Sequence, residues 1–68
     1  MTKDEARRSV GKRVEDLSTG HTGIVQAAED WENPETRRVA FTVFVRPEHG
    51  GTESYLSPAN VRPVVIGS

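Results

Sequence analysis

Sixty-eight residues make one domain at most, and a chain of this size buries only about 60% of its unfolded surface, so each apolar residue counts. Hydrophobic residues are 34% and charged residues 28% of the chain, and there is no cysteine, which excludes a disulfide framework or a thiolate zinc site and leaves close packing to hold the fold. Nine Lys and Arg against ten Asp and Glu leave a net charge of -1, which counts against strong non-specific nucleic-acid binding, because phosphate neutralisation needs a basic excess. Apolar runs such as Val64-Val65-Ile66 are too short to span a bilayer, and no hydrophobic segment follows Met1 as in a signal peptide. The expected location is cytoplasmic, without membrane contact.

Thr2-Lys3-Asp4-Glu5 has the form of a helix start, with Thr2 as N-cap and Glu5 completing a capping box. Arg7 and Arg8 suit its end and Gly11 stops it. Almost no apolar face precedes Val10, so residues 1–9 read equally as a short helix and as a frayed, flexible turn. The folded domain is expected over residues 10–68.

Lys12 to Leu17 predicts a weak strand with Val14 turned inward. The turn Thr19-Gly20-His21-Thr22-Gly23 follows, and each of its glycines can supply a positive φ or a close backbone approach. Ile24 to Ala28 predicts the next strand, its small residues suggesting a chain passing close by. Glu29 to Glu35 reads as a polar loop containing Trp31, with Asn33-Pro34 marking a turn.

Val39 to Val45 alternates strictly, which places Val39, Phe41, Val43 and Val45 on an interior face and Ala40, Thr42 and Phe44 on the other. Glu48-His49-Gly50-Gly51 predicts a hairpin connection. The strand within Thr52–Ser57 turns Leu56 in and Tyr55 out. Ser57-Pro58-Ala59-Asn60 predicts one helical turn, and Val61 to Ile66 a closing strand in which Pro63 suits an edge or bulge. Five short strands with tight turns predict an all-β, five-stranded small barrel, since closure protects exposed strand edges.

Arg13-Val14, then Gly20-x-x-Gly23-x-Val25, the long alternating strand, and Leu56-Ser57-Pro58-Ala59-Asn60-Val61-Arg62-Pro63-Val64 together resemble KOW-type and related SH3-like barrels. The resemblance spans roughly Val10 to Val65 and extends to small actinobacterial proteins with a Thr-Gly-x-x-Gly-x-Val segment. It implies an SH3-like fold. The chain departs from nucleic-acid-binding KOW domains, which often carry a basic first loop: only His21 stands there, and Glu29, Asp30, Glu32 and Glu35 fill the next loop.

His21 and His49 lie in glycine-flanked loops without a regularly spaced second ligand, so no metal or catalytic residue and no cofactor is expected. A barrel this small fills its interior with side chains and leaves no pocket for acid–base work. The expected function is therefore a non-catalytic, monomeric binding module for a protein or peptide, received by Trp31, Phe44 and Tyr55. The bland alternative has Phe44 covering an open barrel end and Trp31 packing back onto the sheet. A second function, nucleic-acid binding, would use Arg7, Arg8, Lys12, Arg13, Arg37 and Arg38 as a local basic strip.

Overall fold

The computed structural model describes residues 1–48 and 50–64. His49 and the Val65-Ile66 end of the predicted closing strand lie outside the described residues. A helix, α1 (Lys3–Arg8), precedes β1 (Arg13–Asp16), β2 (Thr22–Glu32), β3 (Val39–Pro47), β4 (Ser54–Leu56) and β5 (Val61–Pro63). A 3₁₀ turn over Pro58–Asn60 joins β4 to β5. The strands form one antiparallel sheet in the order β4-β3-β2-β1-β5. Among the described residues the two edge strands do not pair with each other, so the sheet is open.

The inner face carries the core: Val14, Val25, Phe41, Val43, Val45 and Val61, capped by Ala6 of α1. The capping box holds α1, with Glu5 N–H donating to Thr2 Oγ1 at 3.1 Å and Thr2 N–H returning to Glu5 Oε1 at 3.0 Å. Those bonds also hold the Glu5 carboxyl below its ordinary value, the Thr2 backbone donor foremost. The helix supplies little apolar surface, so Lys3 and Arg7 complete the cover by lying over the Phe41 ring, 5.7 and 5.1 Å from its centroid.

Val39 departs from the predicted interior set. It keeps the correct phase in β3 but is 65% exposed, because α1 and its basic side chains reach no further than Phe41. Alternation reports which way a residue faces, not whether anything lies opposite. The acidic stretch after Ala28 also departs from the prediction: Glu29 to Glu32 continue β2 beside β3 rather than forming a loop, with Trp31 opposite Ala40 and Glu32 opposite Val39. Pairing with the strongest strand in the chain overrides their low strand propensity. Arg37 and Arg38 accordingly occupy the hairpin turn before β3, where Arg37 takes φ 63°.

The two turn glycines divide the roles open to them. Gly20 has φ 77°, whereas buried Gly23 admits close approach, since a Cβ there would stand 2.5 Å from the Arg46 carbonyl oxygen. Two residues later the register of β2 slips: Val25 faces Val45, Ala27 faces Phe44, and Gln26 bulges out unpaired.

Candidate functional site

Beyond the Gln26 bulge, the odd-numbered residues of β2 share the outer face with Phe44 of β3 and Tyr55 of β4, which are themselves register partners. Three aromatic rings from three adjacent strands meet there. Trp31 lies 5.9 Å from Phe44 at 85° between ring planes and 5.1 Å from Tyr55 at 37°, while Phe44 and Tyr55 stand 5.4 Å apart at 78°. Edge-to-face contacts of this kind contribute about 0.5–1.5 kcal/mol each beyond area burial.

Trp31 leaves β2 opposite Ala40 yet reaches Phe44, so its indole crosses the intervening Thr42. Thr42 is buried, and its hydroxyl is satisfied by donating to the Ala40 carbonyl at 3.1 Å. The three residues singled out in the sequence thus form one cluster. Trp31 does pack back onto the sheet, and in doing so it joins Phe44 and Tyr55 rather than withdrawing from them. Tyr55 remains 55% exposed. A recess of about 380 Å³ adjoins the cluster, lined by Trp31, Tyr55, Asn33, Pro34 and Glu35. The last three residues come from the hairpin turn. There Asn33 Oδ1 accepts the Glu35 N–H at 2.8 Å, and Asn33 N–H donates to the Arg38 carbonyl at 2.9 Å. Their place in the recess was missed in the sequence. The Asn-Pro turn signal was visible, but its position beside Tyr55 depends on the pairing register.

The six basic candidates do not gather. Arg13 stands opposite Ile24, whereas Arg37 pairs with Glu32 at 3.4 Å, and the β2 segment between those positions runs roughly 26 Å at about 3.3 Å per residue. Arg13 is committed to Glu48 at 2.6 Å, and Arg7 to Asp4 at 3.4 Å as well as to Phe41. Arg8 lies on α1, Lys12 just before β1, and Arg38 in the hairpin turn. Around that turn the acidic residues Glu29, Asp30, Glu32 and Glu35 outnumber Arg37 and Arg38.

A second recess, of about 240 Å³, opens between the β1–β2 turn and the β3–β4 connection, with Val45 and Leu56 among its lining and Asp16 and His21 at its rim. Asp16 belongs to the architecture of the turn. Its Oδ1 accepts the Ser18 hydroxyl at 2.6 Å and the Ser18 N–H at 2.9 Å, and the hydroxyl bond is the main reason its carboxyl sits below the ordinary aspartate value. Among the described residues no three His, Cys, Asp or Glu side chains gather as a metal site, and no helix is long and apolar enough to cross a membrane. Compared with known proteins, the chain matches no family model, no curated protein and no solved structure at a significant level.

Proposed function

We propose that the chain is an SH3-like, KOW-like barrel acting as a non-catalytic binding module, and that it receives a protein or peptide on the face formed by Trp31, Phe44 and Tyr55. The strand order, with β5 beside β1 and a single 3₁₀ turn between β4 and β5, supports the barrel assignment. One observation carries the function: three aromatic rings converge on the side of the sheet away from the core. An exposed tyrosine beside a recess, backed by the half-buried Trp31 and Phe44, is the kind of side chain that dominates interface energetics. The distance between Arg13 and Arg37, and the pairing of Arg7, Arg13 and Arg37 with carboxylates, favour this reading over nucleic acid.

The test compares the wild-type chain with Tyr55→Ala and with Arg37→Ala/Arg38→Ala, each checked for an unchanged melting midpoint. A bound protein should be lost with Tyr55→Ala, survive the double arginine change, and depend weakly on salt. Binding that ignores Tyr55→Ala, vanishes with the arginines and falls steeply with salt would replace this reading with nucleic-acid recognition.

A further inference from the structure

One wall of the recess beside Trp31 carries a charge that no described residue answers. Asn33 Oδ1 accepts the Glu35 N–H at 2.8 Å and the Thr36 N–H at 3.4 Å, and the Asn33 carbonyl takes the Arg37 N–H at 2.7 Å. These bonds wind the turn, and Glu35 stands on the recess wall with Trp31, Pro34 and Tyr55. Among the described residues its carboxylate makes no ion pair and no hydrogen bond. The cations of the turn do not fill the recess. Arg37 turns to Glu32 at 3.4 Å, and Arg38, without an ion pair of its own among the described residues, is not part of the lining. Glu29 adds a second carboxylate to the outer face, two residues before Trp31 and opposite Thr42.

The aromatic wall is in the same condition. Phe41, on the inner face, already carries two of the chain's own cations, Lys3 and Arg7, whereas no cation of a described residue stacks on Trp31 or Tyr55. The geometry of that pair limits what can stack there. A group sandwiched between two rings needs roughly 7 Å between them, twice an ordinary contact distance, and these centroids are only 5.1 Å apart. At 37° the rings form a shallow floor rather than facing walls. A compact ammonium gains most from enclosure. A planar guanidinium lies flat on such a floor and keeps its N–H edge for a carboxylate at the side.

We infer that this recess takes an arginine side chain of the partner protein, with the guanidinium plane on Trp31 and Tyr55 and its N–H edge on the Glu35 carboxylate. This rests on the reading of the aromatic face as a protein-binding surface and specifies the residue that anchors there. Ring and carboxylate each attract the cation modestly at an exposed site. They act on one group, so removing its charge removes both attractions.

The experiment titrates the ¹⁵N-labelled full chain with Nα-acetyl-arginine amide, with its lysine analogue, and with its citrulline analogue, which keeps the planar shape and loses the charge. The arginine probe should shift the Trp31 indole and Glu35 amide signals together and leave the Arg13 amide unmoved. Citrulline should bind at least about fivefold more weakly, and lysine about threefold. Glu35→Gln should weaken the arginine probe about threefold. Its melting midpoint should not change, because Asn33 holds the backbone of residue 35 and not its carboxylate. Equal binding of citrulline would overturn a site based on charge, and equal binding of lysine would overturn the guanidinium. A Glu35→Gln variant that binds like wild type would overturn the ion pair. If no probe shifts the Trp31 indole the arginine inference fails, and the aromatic reading fails as well only if Tyr55→Ala also leaves protein capture unchanged.

Discussion

Gly23 lies against the main chain of Arg46 so closely that a Cβ on the glycine would sit 2.5 Å from the Arg46 carbonyl oxygen, and 2.6 Å from Val45 Cγ1. One obstacle is backbone inside a paired strand and the other a core side chain, so neither can swing aside. Gly23→Ala should destabilise the domain by about 1–3 kcal/mol through overpacking, read as a lower urea midpoint. Gly20→Ala meets no atom within 4 Å and is opposed only by its φ of 77°. It should cost about 1 kcal/mol.

Val39 and Val43 share a face of β3 and differ completely in burial, at 65% and 0% exposure. Val43→Ala should therefore remove about 1–3 kcal/mol, a large part of the ~3–10 kcal/mol total for a chain of this length. Val39→Ala should change stability by less than about 0.5 kcal/mol. Equal losses in thermal or urea unfolding would place a cover over Val39.

The Thr2–Glu5 capping box anchors a helix that contributes one fully buried residue, Ala6. Thr2→Ala should cost about 1 kcal/mol. Because Lys3 and Arg7 lie over the Phe41 ring only while α1 is wound, the ring proton signals of Phe41 should shift in the same variant.

Asp16 gives the fold a dependence on acid. Bonds from Ser18 lower its folded pKa, so folding favours the carboxylate. That contribution is complete above the unfolded value, about 3.9, and is lost as pH falls through the lower folded value. Asp16→Asn should lower the urea midpoint at neutral pH, and the gap from wild type should close in strong acid. A gap that persists in acid would show that the charge is not its source.

The order of elements was legible because the signals were local. Alternation through Val39–Val45, Gly20 and Pro58 each fix backbone geometry within a few residues, and the observed strands and 3₁₀ turn follow them. The candidate site was legible in part: Phe44 and Tyr55 face outward by strand phase alone. Trp31 was grouped with them from a supposed loop; that it stands on a strand was not legible, since Glu29–Glu32 reads as loop by composition and becomes strand only through pairing with β3. Nor was the exposure of Val39, which depends on how far a distant helix extends.

The unpaired Gln26 has a consequence for how this domain tolerates change in its gene. Loss of that single residue would restore uniform pairing with β3 while keeping Ala27 opposite Phe44 and Trp31 opposite Ala40. Trp31 and Glu29 would stay on the outer face and Ala28 and Asp30 on the inner one. A one-codon deletion there would thus be absorbed by the strand, with the wet and dry sides of the hairpin unchanged.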